Sequence, residues 1–352
     1  QIKDEAATED VLKAESTPVL ENYPVAPFEG DSLYELLVAE IAGYRSFYDV
    51  ALEKYVLVAE QTFDAGVASR ATRMALYLKD DEAALRAVKI WTQAEPNNLE
   101  AHRHAVDLLV QADRHEEAVL HMEKVKNLGG SARFDVFAYR AAGLPKDKRL
   151  ALLAVLEEMS VRYPKDNRIK FSKAILMQEV GRHAGALQIA DEILETERDV
   201  NVISFKTAAL RGLGRTDEAR TYLEKEVEAM PTNRRLRLVL ARLLFEGGYL
   251  TDARHQYESI LEKEPNDGDI LLALALIAME NEEDSEAKRY LERMVRWDRR
   301  VGTAHYYLGR IAERNSDSYA ALEHYRKVGN NYEYISAQAR IGSLLVKDGL
   351  WD

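Results

Sequence analysis

Apolar residues recur at helical spacing along almost the whole chain from Asp31 onward. They stand three and four residues apart, which places them on one face of an α-helix and leaves charged residues on the other. Stretches in which β-branched residues alternate with polar ones between hairpin turns are nearly missing. The pattern therefore predicts an all-α chain.

The chain is also periodic on a longer scale. Pro231 and Pro265 are 34 residues apart, while Pro96 and Pro164 are 68 apart. A period near 34 residues is the length of a tetratricopeptide (TPR) repeat, which consists of two helices joined by a tight turn. Such a repeat has an alanine early in its second helix. Alanines in this register are Ala51, Ala84, Ala118, Ala186, Ala219, Ala253, Ala287 and Ala321.

Turn residues mark the repeat boundaries in the same register. Pro231 and Pro265 end a second helix, because proline lacks the amide donor that a helix needs. Gly181, Gly214 and Gly248 fall at the turn inside a repeat, where a positive φ is often required. The predicted fold is a TPR-like α-α superhelical solenoid of about nine and a half repeats. The full repeats are 32–64, 65–98, 99–132, 133–166, 167–199, 200–233, 234–267, 268–301 and 302–334, and a tenth begins at Ile335.

The repeat at 133–166 is irregular, since Gly143-Leu144-Pro145 interrupts it. A degenerate repeat that still stacks is favoured over a flexible point between two half-arrays, because stacking requires only a fit between nearest neighbours. Repeat arrays normally end in a capping element with a polar outer face. This sequence ends at Asp352, inside the turn of a repeat. We therefore expect it to be the N-terminal part of a longer array.

Residues 1–30 have a different character from the rest of the chain. They are acidic, contain three prolines and show no helical period. This composition predicts an extended or disordered linker. Tyr23, Val25 and Phe28 would also suit a cap on the first repeat.

Charge and composition exclude several classes of function. The 352 residues include 48 Lys and Arg against 60 Asp and Glu, so the formal net charge is −12. Sequence-independent binding of nucleic acid needs a positive face that displaces counterions, and this balance argues against it. Cysteine is absent, which removes disulfides, thiolate metal sites and cysteine nucleophiles. The longest uncharged apolar run, Ile270 to Met279, is too short to span a bilayer, and no signal peptide is visible.

Candidate catalytic and metal-binding patterns each have a simpler explanation. His115 and His121 stand six residues apart, whereas a zincin helix needs two histidines four apart. His121 and His324 occupy the same position in their repeats, as do His102 and His305, which is typical of packing positions. No nucleophile, base and oxyanion donor occur together in a known arrangement. The sequence therefore predicts a non-enzyme without cofactor or metal.

A stack of TPR repeats presents its first helices along a concave groove. In the stretch 168–245 the repeat register places arginine, aromatic and aliphatic side chains on this groove. Guanidinium groups bind carboxylates in a bidentate manner, so the groove suits an extended peptide or an acidic segment of a partner. The alternative is that some of these arginines only balance acidic neighbours. The predicted binding residues are Arg168, Phe171, Ile175, Arg211, Arg235, Leu238, Arg242 and Phe245.

The first repeats carry a distinctive series of residues. It comprises Phe28, Asp31-Ser32-Leu33-Tyr34-Glu35-Leu36-Leu37, Tyr48-Asp49-Val50-Ala51-Leu52-Glu53-x-Tyr55 and Asp64-x-Gly66-Val67-Ala68-x-Arg70-Ala71. This series resembles the opening of the LbcA-type TPR lipoproteins of the proteobacterial outer membrane. The specific resemblance covers residues 28–96, and the remainder is similar only as a long TPR array.

The resemblance implies a periplasmic adaptor. Such lipoproteins bind and activate the carboxyl-terminal processing protease CtpA, a serine protease of the Ser-Lys type, and help present peptidoglycan hydrolases for degradation. A lipidated cysteine preceding Gln1, absent from this chain, would anchor the protein to the periplasmic face of the outer membrane, and residues 1–30 would link membrane to array. Two other classes stay open: a TPR subunit of a cell-envelope assembly or polysaccharide-export complex, and an enzyme whose catalytic domain follows Asp352.

Overall fold

The computed structural model describes residues 30–347, and within them it contains nineteen α-helices and no β-strand. The predicted linker up to residue 29 and residues 348–352 lie outside the described residues. The helices come in nine successive pairs followed by a single last helix, and eight of the nine pairs pack as hairpins. The predicted all-α, TPR-like fold is therefore confirmed for the described residues.

The described residues divide into two compact bodies, with the division between Ala132 and Arg133. The N-terminal body contains α1 (Gly30–Tyr44), α2 (Tyr48–Thr62), α3 (Ala65–Leu78), α4 (Asp81–Ala94), α5 (Leu99–Gln111) and α6 (His115–Asn127). The C-terminal body contains α7 (Phe134–Ala141), α8 (Lys146–Arg162), α9 (Asn167–Glu179), α10 (His183–Leu194), α11 (Val200–Gly212), α12 (Thr216–Ala229), α13 (Arg234–Glu246), α14 (Leu250–Leu261), α15 (Gly268–Glu280), α16 (Asp284–Arg296), α17 (Val301–Arg314), α18 (Ser318–Arg326) and α19 (Tyr334–Lys347).

Side-chain caps fix where most first helices begin. A carboxylate or amide oxygen accepts a hydrogen bond from a backbone amide in the first turn, and such a cap stabilises a helix by about 1 kcal/mol. The caps of α3, α5, α9, α11, α13 and α15 are Asp64, Asn98, Asp166, Asp199, Asn233 and Asp267. Because each helix starts at its cap, residues at equal offsets from the caps point to the same side in successive repeats.

Small residues lie where the two helices of a repeat cross. All eight second-helix alanines predicted from the sequence, from Ala51 to Ala321, are fully buried. A larger side chain at these positions would push the close-packed helices apart. Gly181, Gly214 and Gly248 have φ angles of 86°, 74° and 78°, which confirms the predicted left-handed turn inside each of these repeats.

The irregular repeat at 133–166 packs differently from the others. α7 has only 8 residues and ends at Ala141, and α8 begins after Pro145. Both helices pack against α9. Arg149 of α8 donates a hydrogen bond to the carbonyl oxygen of Ala142 at 3.3 Å and lies 3.6 Å from the carboxylate of Glu179 on α9. The shortened first helix explains why the regular sequence pattern is lost here.

Gly309 marks the closest helix crossing of the ninth repeat. A Cβ atom at Gly309 would lie 2.6 Å from Cε1 of Tyr325. The Tyr325 ring is fully buried, and its hydroxyl donates a hydrogen bond to Oε2 of Glu313 at 2.7 Å, so the ring has little freedom to move. We expect Gly309→Ala to lower the free energy of unfolding by about 1–3 kcal/mol through overpacking, measured by urea unfolding.

Gly342→Ala is the matched control for this substitution. Gly342 lies in α19, and a Cβ atom there would meet nothing within 4 Å. Alanine is a better helix former than glycine by about 1 kcal/mol, so this variant should be neutral or more stable. Equal effects of the two substitutions would contradict the close contact between α17 and α18.

Candidate partner-binding site

The predicted binding residues share one side of three neighbouring first helices. Each lies two, five, nine or twelve residues after the cap of its helix, and these offsets fall on one side of an α-helix. α9 packs against α11, and α11 packs against α13, so the three sides form one continuous surface. We call it the first-helix face. Its predicted members are Arg168, Phe171 and Ile175 on α9, Arg211 on α11, and Arg235, Leu238, Arg242 and Phe245 on α13.

A row of aromatic rings runs beneath this face. The ring centroids of Tyr139 and Phe171 are 6.2 Å apart, and those of Phe171 and Phe205 are 5.3 Å apart, both in edge-to-face geometry. Such pairs contribute about 0.5–1.5 kcal/mol beyond the burial of their area. Tyr139 is 49% exposed, so one end of the row reaches the surface.

The structure corrects the prediction at two positions. Phe171 is 6% exposed and Ile175 is 2% exposed, so neither offers a partner much surface. Both side chains pack between helices and support the face from below. The repeat register gave their side of the helix correctly, but it carried no information on how closely α7 and α11 cover them.

Arg211 fits the alternative that some arginines of the groove only balance acidic neighbours. Its Nη2 donates a hydrogen bond to Oε2 of Glu246 on α13, so its charge is neutralised by a neighbouring helix. A partner carboxylate would have to compete with this ion pair. Arg211 therefore contributes to stacking of repeats more than to recognition.

The other three arginines keep their charge available. Nη1 of Arg235 donates to the amide oxygen of Asn201, a neutral partner that orients the guanidinium without cancelling its charge. Arg168 and Arg242 are exposed, and their guanidinium groups have no hydrogen-bond or carboxylate partner within residues 30–347. Burial raises the pKa of the Tyr139 hydroxyl, and the positive charge of Arg235 opposes this shift.

Apolar side chains lie between these charges. Leu238 and Phe245 are half-buried and pack against the core cluster of the C-terminal body. Together with Arg235 and Arg242 they form a line of alternating charge and apolar area along α13. A guanidinium binds a carboxylate through two parallel hydrogen bonds, and the apolar areas suit aliphatic or aromatic side chains. The face therefore has the chemistry to bind an extended segment that carries both.

Sequence reasoning missed one residue of this face, Asn201, and one residue beside it, Tyr139. Asn201 has the same offset from its cap as Arg168 and Arg235, so the register alone was sufficient to find it. Tyr139 lies on α7 of the irregular repeat, where the register gave no position to transfer. Only its ring contact with Phe171 places Tyr139 beside the face.

Two histidine pairs join helices within their repeats. His102 and His121 meet with their Nδ1 atoms 2.8 Å apart, and His305 and His324 do so at 3.1 Å. Nε2 of His102 lies 3.0 Å from the carbonyl oxygen of Pro96, which only accepts, so His102 donates there and accepts from His121. The recurrence of His at a spacing of 19 residues was present in the sequence, but the pairing itself was not predicted.

The His305–His324 pair should make stability depend on pH. Burial lowers the pKa of both rings, and for His305 the charge of His324 acts in the same direction. The folded chain therefore stays neutral where the unfolded chain, with a pKa near 6.5, binds protons. The stabilisation is complete above pH 6.5 and is lost as pH falls towards the lowered pKa of the folded state. We expect the thermal midpoint to fall between pH 7.5 and 5 less steeply in a His305→Gln/His324→Gln variant than in the native chain; parallel curves would contradict this.

Neither a metal centre nor a membrane span can be placed in the described part of the chain. Within residues 30–347 no group of three or more His, Asp or Glu side chains is arranged to hold a metal ion. Among the same residues no helix has the length and the apolar character that crossing a bilayer would require.

Comparison with protein families supports the repeat assignment. Two family models of the tetratricopeptide repeat match residues 209–268 and 248–311. Residues 209–311 therefore carry tetratricopeptide repeats, and they include α13 with its arginines. Repeats of this class form scaffolds that present extended surfaces to protein partners, and they are typically non-catalytic.

A curated relative extends the similarity over most of the chain. The TPR repeat-containing protein PA4667 of Pseudomonas aeruginosa is 38% identical over 325 residues, which cover 92% of this chain and 55% of that protein. The chain thus spans about half the length of this relative. Solved structures with similar helices include yeast Tom70 (11% identity, TM-score 0.41, 85% of this chain and 75% of that chain). Human IFIT1 is also similar (18% identity, TM-score 0.44, 84% and 85%), as is a tetratricopeptide repeat protein from Parabacteroides merdae (14%, 0.39, 75% and 92%).

Proposed function

We propose that this chain is part of a periplasmic adaptor that binds and activates a carboxyl-terminal processing serine protease and delivers peptidoglycan hydrolases to it. The coarser part of this function, a protein-interaction scaffold, follows from the repeats. The protease, its clients and the location at the outer membrane are supported by the resemblance of residues 28–96 to the LbcA-type lipoproteins. The membrane attachment would be a lipid anchor outside this chain.

The observation that carries a client-binding role is the uncompensated charge on the first-helix face. Arg168, Arg235 and Arg242 are exposed and lack carboxylate partners within residues 30–347. Carboxylates of an extended client segment would pair with these guanidinium groups, and its apolar side chains would lie on Leu238 and Phe245. Because such contacts use short features common to many sequences, one face would accept several clients.

Holding protease and client on one scaffold would raise the rate of cleavage without new chemistry. The second encounter becomes intramolecular, and short flexible connections give effective concentrations of order millimolar. The adaptor itself would then need no catalytic residue. Activation of the protease would be a separate effect, visible on substrates that need no delivery.

Affinity capture from periplasmic extract with the full-length protein, followed by mass spectrometry, tests the identity of the partners. We expect a carboxyl-terminal processing protease together with peptidoglycan hydrolases. Recovery of export-pore or envelope-assembly proteins without any protease would reject the adaptor role and favour the assembly-complex alternative.

Reconstitution separates activation from delivery. The purified protease would be assayed with and without the full-length protein on two substrates, a folded peptidoglycan hydrolase and a short unstructured peptide. Acceleration of both indicates activation, and acceleration of the hydrolase alone indicates delivery. If neither rate changes, the proposed function is wrong.

A further inference from the structure

The turn between α16 and α17 differs in charge from the corresponding turns of the two repeats directly before it. The last turns of α12 and α14 contain no basic residue, whereas that of α16 contains Arg293 and Arg296. Arg299 stands three residues after the end of the helix, beyond Trp297 and Asp298. We call Arg293, Arg296, Trp297 and Arg299 the Trp297 patch. It is a local positive surface in a chain whose net charge is −12.

The side chains of the patch are available for contact. Trp297 is 52% exposed, and Arg296 and Arg299 are exposed. None of the three arginines has a carboxylate or hydrogen-bonding partner for its guanidinium within residues 30–347. By contrast, Arg300 next to them pairs with Oδ1 of Asp269 at 2.6 Å, so an ion-pair partner is within reach of the turn but is not used by the patch.

The backbone that carries the patch is well fixed. The amide of Arg299 donates a hydrogen bond to the carbonyl oxygen of Met294 at 2.8 Å, and that of Trp297 donates to Arg293 at 3.1 Å. A Cβ atom at Gly268 would lie 2.9 Å from Cβ of Arg299, so the turn packs tightly over the start of α15. Because the backbone is already ordered, binding would cost little backbone entropy.

Helix electrostatics explain only part of this arrangement. Cations in the last turn are favoured by the helix dipole, which accounts for Arg293 and Arg296. The dipole does not account for Arg299 beyond the helix end or for a large apolar ring left half in water. Tryptophan and arginine are the residue types most enriched among those that dominate the energy of protein interfaces.

We propose that the Trp297 patch is a second docking surface, which binds an acidic segment of a protein partner that also carries an apolar side chain. Carboxylates would pair with Arg296 and Arg299, and the apolar side chain would lie on the Trp297 ring. This inference goes beyond the client-binding role of the first-helix face and does not depend on it. A short acidic segment touches only the patch, whereas an anionic membrane or a nucleic acid would be repelled by the acidic remainder of the chain.

Fluorescence anisotropy with a labelled short peptide tests the proposal on the full-length protein. The peptide contains Asp and Glu around a central Leu-Phe pair, and the control peptide replaces the acids by Asn and Gln. Both are measured in an Arg168→Glu/Arg235→Glu/Arg242→Glu background, so that the available arginines of the first-helix face do not contribute. We expect saturable, salt-sensitive binding of the acidic peptide alone.

Variants of the patch test whether Trp297, Arg296 and Arg299 bind the acidic peptide. Trp297→Ala should weaken binding by at least about ten-fold, Arg296→Glu/Arg299→Glu should abolish it, and Trp297→Phe should retain most of it. Tyr319→Ala removes another exposed ring outside the patch and should change nothing. The proposal is overturned if neither peptide binds, if both bind equally, if Trp297→Ala binds like the parent, or if only anionic vesicles bind.

Discussion

The Ala253→Asp substitution should unfold the middle of the C-terminal body. Ala253 of α14 is fully buried in the cluster that also contains Leu240, Leu244 and Tyr257. A carboxylate there either stays charged without a partner or takes up a proton, and it also forces α13 and α14 apart. We expect a loss of more than about 4 kcal/mol in the free energy of unfolding. Urea unfolding followed by circular dichroism measures it.

Ala208→Asp is the matched control, because it makes the same change on α11 at an exposed position. It should cost less than about 1 kcal/mol, which is the difference in helix propensity between alanine and aspartate. In a repeat stack each repeat contacts only its neighbours, so hydrogen exchange in Ala253→Asp should increase most in α11 to α16, which are the repeat that holds Ala253 and the repeats on either side. A stability close to that of the control would show that the repeat register is wrong.

The repeat register was the part of the fold that the sequence determined best. A position such as Ala253 is tightly determined, because a close crossing accepts only a small side chain. The left-handed turn favours glycine, as at Gly214, but Lys79, Asp113, Glu282 and Ser316 adopt the same conformation in other repeats. Proline and capping residues mark helix ends at the same period, independently of the small residues. The register therefore indicated which side of α13 carries Arg235 and Arg242, but it did not locate the shortened α7 of the irregular repeat.

The state of each side chain was less predictable, since it depends on contacts between repeats. The sequence assigned both Arg211 and Arg242 to the groove, yet only Arg211 meets a carboxylate, that of Glu246. Phe171 has a groove offset but is covered by Tyr139 and Phe205, from two other repeats. The repeat period specifies on which side of its helix a residue lies. Whether its side chain is buried or forms an ion pair depends on the particular residues of the neighbouring repeats that it contacts.

The Arg235→Glu/Arg242→Glu substitution should weaken capture of partners by the first-helix face while leaving the fold intact. Both side chains are exposed, and surface changes of this kind usually alter stability by less than about 0.5 kcal/mol each. Each replaces an attraction for a partner carboxylate by a repulsion, and loss of a well-desolvated charge pair costs about 2 kcal/mol or more, close to thirty-fold in Kd. Isothermal titration calorimetry of the full-length protein with a purified client hydrolase measures this loss.

The measurement must distinguish the effect of the protein's net charge from the effect of local contacts between the partner and the two arginines. Lys165→Glu/Lys225→Glu makes the same change in net charge at two exposed lysines outside the first-helix face. Long-range repulsion would weaken binding in both double variants and would fade within a Debye length of about 8 Å at physiological salt. A local contact weakens only the arginine variant and persists at that salt concentration. Equal affinities of the two variants would therefore assign the arginines of α13 to solubility and repeat stacking, and would move the search for the client site to other surfaces of the array.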